Sequence, residues 1–285
     1  MNDLSRSLIA GVVLVGLAGS AYLWWQERQE HQEGQAAATA PLVAPNTRAV
    51  EAVAPETAPV PLHHAIEEIT PPLAEPLPPL TDDGSEVSDA LVALLGREQV
   101  LSFVDASGFA QRVVATVDNL ARGHAASRLW PVHPAPGRFQ VVERDGATYI
   151  ADDNRDRYKA FVRFASAVDT EAAVALYVRM YPLLQKAYED LGYPGKYFNN
   201  RLIEVIDQLL ATPELLKPVR LSLVEVKGPG ETPSPWLRYE YADPALQARS
   251  AGQKILLRMG PGNAGELKAK LRQFRQRIAS SGVSD

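Results

Sequence analysis

The chain has 285 residues, 29 Lys and Arg against 34 Asp and Glu, and no cysteine. Disulfides, thiol catalysis and cysteine-ligated zinc are therefore excluded. The net charge of −5 is unevenly placed: residues 26–80 carry two arginines against eight glutamates, while residues 81–285 carry 26 basic against 25 acidic side chains. A near-neutral C-terminal region lacks the basic footprint of a nucleic-acid binder, so no nucleic acid is expected.

After a seven-residue start, Leu8 to Trp25 is an uncharged, mostly apolar run of 18 residues. That is near the short end of what spans a bilayer as a helix. Tyr22, Trp24 and Trp25 stand at its C-terminal edge, where amphipathic rings favour the headgroup layer. Ala18–Ala21 could serve as a small-residue cleavage site, but cleavage there would leave Tyr-Leu-Trp-Trp as a poor soluble start. The expectation is an uncleaved single-pass anchor over 8–25. Arg6 on the short side against Arg28 on the other gives a bias of about one charge, and the simplest topology keeps the N-terminus cytoplasmic.

Residues 26–80 read as an acidic linker. Between 36 and 80 there are ten prolines and no aromatic residue, a composition that buries too little apolar surface to offset chain entropy. Pro-rich segments extend at about 3.1 Å per residue. Leu77-Pro78-Pro79-Leu80 could be a docking motif, but a plain spacer is the simpler reading. Adjacent His63 and His64 in such a strip have no fixed geometry, and no metal is assigned to them.

The domain is placed at 81–279, with a tail at 280–285. Asp82-Asp83-Gly84-Ser85 leads into a helix over 86–95 stopped by Gly96, followed by helices over 97–104 and 109–120. In the last of these Phe109, Val113, Val117 and Leu120 share a face. A Pro-rich passage, 130–137, precedes two strands, 139–143 and 148–150, around Asp145-Gly146, a two-residue hairpin signal. Asp153 or Asn154 caps a helix over 155–168. Asp169 or Thr170 caps one over 171–191, in which Pro182 predicts a kink or break near Tyr181. Gly192-Tyr193-Pro194-Gly195 is a turn before a helix over 200–211 capped by Asn199 or Asn200. Thr212-Pro213 predicts a short helical turn. Strands follow over 221–226 and 236–241, then a helix opening at Asp243-Pro244 and a basic helix over 264–279. The fold class is mainly α (α+β), with small β-hairpin elements, no βαβ alternation and no repeat.

Gly260-Pro261-Gly262-Asn263-Ala264-Gly265 matches G-x-G-x-x-G, but the 20 residues after it leave no room for the second strand of a dinucleotide fold. It reads as a turn between helices with Asn263 as cap. Anion binding at the helix start beside Lys268 is the alternative. No cofactor is expected, and no serine-hydrolase, zincin, P-loop or EF-hand motif occurs.

The densest polar and aromatic stretch runs through Tyr193, Tyr197, Asn200, Arg201, Glu204 and Asp207. At helical spacing Asn200, Glu204 and Asp207 share a face and Arg201 lies three residues before Glu204. Such a set could line a carbohydrate or peptide cleft, with Glu204 or Asp207 as a general acid or base if one carboxyl were tuned for it. The plainer alternative is a capped helix with one ion pair. A second stretch, Asp118 to His124 with Arg128, Trp130 and His133, places Arg122 and His124 beside Gly123, where they could grip an anion. A helix C-terminus alone also favours such charges. The C-terminal helix sets Lys268, Lys270, Arg272, Arg275 and Arg277 against a stripe of Leu267, Leu271, Phe274 and Ile278. It is read first as packing on its own domain, and second as meeting a partner or an anionic lipid surface.

Several stretches occur together and in order: residues 114–120 with Arg122-Gly123-His124, Tyr181-Pro-Leu-Leu184 with Gly192-Tyr193-Pro194, residues 197–202 with Glu204-Val-Ile-Asp207, and residues 250–254 with Arg258-Met259-Gly260-Pro261. On these motifs the region 80–278 resembles a bacterial membrane-anchored family, domain of unknown function 3014. The resemblance implies an N-terminal anchor, a Pro-rich linker and a Gram-negative envelope, and no catalytic residue. The resulting expectation is an inner-membrane protein with its domain in the periplasm, binding or scaffolding an envelope protein or polymer. The alternative is an anchored hydrolase or transferase acting on envelope polymers.

Overall fold

The computed structural model describes Ile69 and residues 78–81, 83–224 and 239–279, all within one compact unit, Thr57–Asp285. The expected anchor, most of the linker, His63-His64, the loop before the last strand and the tail lie outside the described residues. No helix among the described residues is long and apolar enough to cross a membrane.

Apolar residues at helical spacing build the body. Helices α1 (Ser85–Leu95) and α2 (Arg97–Phe103) are separated by Gly96 at φ 83°, a conformation that costs glycine least. Helix α3 (Phe109–Leu120) buries Ala110, Val114, Val117 and Asp118. The buried face is thus turned from the predicted one, and Phe109, Val113 and Leu120 pack at its margin. The carboxylate of Asp83, placed before α1 by its sequence, accepts from the backbone N of Ala110 at 2.9 Å. It therefore caps the first turn of α3, whose own N-cap residue is Gly108 and has no side chain to do so.

Strands β1 (Val141–Arg144) and β2 (Ala147–Ile150) form the expected hairpin. Asp145 and Gly146 have φ 50° and 71°, the signs that a tight two-residue turn requires. Helix α4 (Asn154–Ala167) follows. Asn154 is fully buried and is no cap: its amide donates to the carbonyl oxygens of Gln140 and Ala151 and accepts from the N of Gln140. It ties the helix start to the strand entry.

Helix α5 (Thr170–Asp190) is capped by Asp169, which accepts from the N of Ala172 at 2.7 Å. It runs unbroken through Pro182, because its Leu184, Ala187 and Tyr188 remain in the core on the far side. Helix α6 (Phe198–Leu210) starts at Phe198, with Tyr197 as N-cap. Asn199 is buried instead, accepting from the Tyr177 hydroxyl at 2.9 Å and donating to the carbonyl of Ile278 at 3.2 Å. No helix forms at Thr212-Pro213. The Thr212 hydroxyl donates back to the carbonyl of Leu209 at 2.7 Å, ending α6 rather than starting a helix.

Strands β3 (Arg220–Leu223) and β4 (Tyr239–Tyr241) extend the hairpin into one antiparallel sheet of order β1-β2-β3-β4, with Thr148 opposite Leu221 and Leu221 opposite Tyr241. After the short α7 (Pro244–Gln247), Ser250 caps α8 (Ala251–Met259). Helix α9 (Pro261–Ile278) begins three residues before the predicted start. Asn263 therefore sits inside its first turn, donating to the carbonyls of Arg155 and Met259 rather than capping it.

One hydrophobic core joins the helices, from Val87 and Leu91 through Met180 and Phe198 to Ile278, and it takes in Leu80 and Ile69. A smaller core holds Leu221, Tyr241 and Leu257 under the sheet. Helix α8 serves both: Leu256 and Met259 face the helical core and Leu257 the sheet. Helix α9 packs on α4, α5, α6 and α8. Its charges are largely used within the domain. Arg275 pairs with Asp207 and Arg277 with Glu171, and Lys270 donates to the Val168 carbonyl. Lys268 is buried, contrary to its place on the predicted polar face, and donates to the Thr212 carbonyl at 2.8 Å.

Candidate functional site

The two sequence candidates converge on one residue, Asp118, which is nearly inaccessible at the C-terminal end of α3. Its carboxylate accepts from Arg122 Nη2 at 2.6 Å and from Arg201 Nη2 at 3.0 Å. The Tyr193 hydroxyl lies 3.2 Å from both carboxylate oxygens and itself accepts from Arg122 Nη2 at 2.8 Å. Arg201 also binds Glu204 at 2.8 Å. The ring of Tyr193 stacks on Tyr188 with centroids 4.6 Å apart, and Lys196 lies 5.6 Å above it.

Electrostatics follow from this packing. The charge of Asp118 raises the pKa of Arg122 above its ordinary value. Burial opposes the charge on Arg201, but its bonds to Glu204 and Asp118 outweigh that and raise its pKa. Burial also raises the phenol of Tyr188, against the pull of Arg201. The network clamps α3, the 192–197 turn and α6 together, and it spends both carboxylate oxygens internally.

The remaining predicted residues scatter. His124 is exposed beyond α3, and Tyr197 is exposed at the start of α6. Asp207 is held by Arg275 of α9, with Nη2 to Oδ2 at 2.8 Å, and Glu204 by Arg201. The two carboxylates thus go to different arginines and form no acid–base pair. Asn200 keeps a buried Oδ1 without a partner among the described residues. No group of His, Cys, Asp or Glu among the described residues could hold a metal ion.

A different concavity opens where α4, α8 and the sheet meet the 127–138 passage. It is a cleft of about 410 Å³, within the usual range for small-ligand sites. Its walls include Trp130, Phe139, Arg157, Tyr158, Tyr239 and Arg258, together with Arg138 and His133, and no Asp or Glu among the described residues lines it. Arg157 holds one wall: its guanidinium donates to the carbonyls of Pro136 and Gly137 and to Asn154 Oδ1. The Arg258 guanidinium lies 5.5 Å from the Phe139 ring centroid and 5.8 Å from that of Tyr241, a cation–π arrangement. Tyr241 itself, buried, has its phenol pushed up to about 12. Trp130 Nε1 and Arg258 Nε are buried with no hydrogen-bond partner among the described residues.

A family model described as protein of unknown function (DUF3014) matches residues 109–275. The chain belongs to this family. The DUF3014 span contains the whole Asp118 network and every residue that lines the cleft. No curated protein and no solved structure matches the chain.

Within the DUF3014 domain, sequence reading found the partners of Asp118 but not Asp118 as their centre. Tyr193 and Arg201 stand 75 and 83 positions away from it, a distance that no local spacing rule spans. The cleft was missed for the same reason, since its walls come from separate segments with one or two polar residues each. Trp130 and His133 lie near Arg122 and His124 in sequence, but the structure places them on the cleft instead. The available signal was Trp130 in a Pro-rich passage closed by Arg138, and a single arginine, Arg258, in the otherwise apolar second half of α8.

Proposed function

We propose that the chain is a membrane-tethered binding module of the bacterial envelope. An apolar run at 8–25 anchors it in the inner membrane, the Pro-rich linker spaces it, and the DUF3014 domain engages an envelope protein or polymer on the periplasmic side. The observation that carries this reading is the cleft at the junction of α4, α8 and the sheet: it is concave, walled by aromatic and cationic side chains, and free of carboxylates among the described residues. Ligand sites combine apolar walls with a few oriented polar groups in this way. The hydrolytic alternative needs a tuned pair of carboxyls, and Glu204 and Asp207 are each held by an arginine, so binding is the better-supported reading.

The test is site-specific crosslinking in cells of the native host. A photoreactive phenylalanine is placed at Ala135, on the cleft wall, and for comparison at Lys186, an exposed position on α5. A defined envelope adduct from Ala135 and none from Lys186 is expected. No adduct from Ala135, or equal capture at both positions, would overturn the reading.

A further inference from the structure

We infer that the cleft receives an acid group attached to a flat apolar ring, a ring-bearing phosphate or carboxylate. This rests on the reading of the cleft as the module's binding site, and names what enters it. The charge of the walls points to an anion. Arg138, Arg157 and Arg258 line the cleft, and no acidic side chain among the described residues does. Arg157 and Arg258 are half-buried and form no ion pair among the described residues, although guanidinium groups withdrawn from water are ordinarily paired.

The hydrogen-bond inventory narrows the ligand further. Arg157 spends its donors on the Pro136 and Gly137 carbonyls and on Asn154, so it contributes fixed charge. Among the described residues, Arg258 Nη2 reaches the Tyr239 carbonyl at a long 3.4 Å and the guanidinium interacts with the Tyr241 phenol, while its Nε is buried with no hydrogen-bond partner. Trp130 Nε1 is likewise buried with no hydrogen-bond partner among the described residues. Buried donors are nearly always satisfied, so two orphaned N–H groups in residues lining one cleft call for an acceptor that the described chain does not supply. An acid group offers several acceptor oxygens to a planar guanidinium. The rings of Phe139, Tyr158 and Tyr239 give the flat surface for the rest of the ligand.

The experiment uses the full-length chain in detergent micelles with nitrogen-15 in its four tryptophans, the Trp130 indole resonance being assigned by W130F. Phenyl phosphate, phenylacetate, inorganic phosphate and the neutral benzyl alcohol are titrated separately. The Trp130 resonance is expected to move most with phenyl phosphate or phenylacetate, with at least tenfold weaker binding of benzyl alcohol. Arg258→Gln is expected to weaken the acid at least tenfold while leaving the other indole resonances in place. Exposed Arg138→Glu serves as a second variant if Arg258→Gln disturbs the fold. Equal binding of benzyl alcohol and the acids would overturn the anion while sparing the cleft as a site. Response to inorganic phosphate alone would overturn the ring. No response to any probe would overturn the inference, and the Ala135 crosslink would then decide the module reading separately.

Discussion

Asp118 shows how one buried charge can organise three segments distant in sequence. Its two arginines differ in worth, since Arg201 is mostly covered and Arg122 has 56% of its side chain exposed. An exposed pair contributes about 0–1 kcal/mol, whereas leaving a buried charged group without its partner costs several. Asp118→Asn is therefore expected to lower stability by about 2–4 kcal/mol, and Arg122→Ala by clearly less, as read by urea unfolding. Tyr241 supplies a pH test. Its folded pKa lies near 12 against an ordinary 10, raised by burial. The neutral phenol is thus the form that folding favours. Its contribution is complete below pH 10 and is lost as pH rises toward about 12, and a two-unit shift corresponds to about 2–3 kcal/mol. Unfolding measured from pH 9 to 12 should show wild-type stability falling across that window and a shallower fall in Tyr241→Phe. Some slope should remain, because burial also raises Tyr177 and Tyr188.

At the scale of elements, the sequence carried most of the helices, because each has an apolar stripe and a stop signal of its own. Gly96 and Asp145-Gly146 fell where expected, and so did the start of α5 at Asp169. Several of the failures share a cause: polar residues that look like local caps bond distant partners. Asn154, bound to Gln140, and Asn199, bound to Tyr177 and Ile278, are buried bridges, and Asp83 caps α3 from 27 residues away. The pairing of the two hairpin regions into one sheet through β2 and β3 was likewise non-local. Close packing of α8 is a sharper test. A Cβ on Gly252 would lie 2.5 Å from Leu209 Cδ2 and 3.1 Å from the backbone oxygen of Leu120. Gly252→Ala is expected to cost about 1–3 kcal/mol by overpacking, although alanine suits a helix better than glycine; a stabilised variant in thermal unfolding would contradict this contact. Pro182 gives the opposite sign. It is exposed and interior to α5, so Pro182→Ala should raise stability by up to about 3 kcal/mol in the same assay.

For the whole molecule, α8 is the element that makes the cleft. It is shared between the helical core and the sheet core, and Arg258 projects from it to the Tyr239 carbonyl and the ring of Phe139. Nothing local in the sequence announces such a junction, whereas the proposed tether rests on the composition of 8–25 and 26–80 alone. The binding reading joins these two levels: the proposed anchor and spacer would deliver a domain with a cationic cleft that no carboxylate among the described residues lines. The most direct measurement is the yield of envelope adduct from the photoreactive residue at Ala135 in otherwise wild-type chain, in Arg138→Glu and in Arg258→Gln. A defined adduct that falls at least tenfold in each variant, while thermal unfolding of the purified variants stays within a few degrees of wild type, is the expected result. An adduct undiminished by either change would contradict a charge-dependent binding cleft.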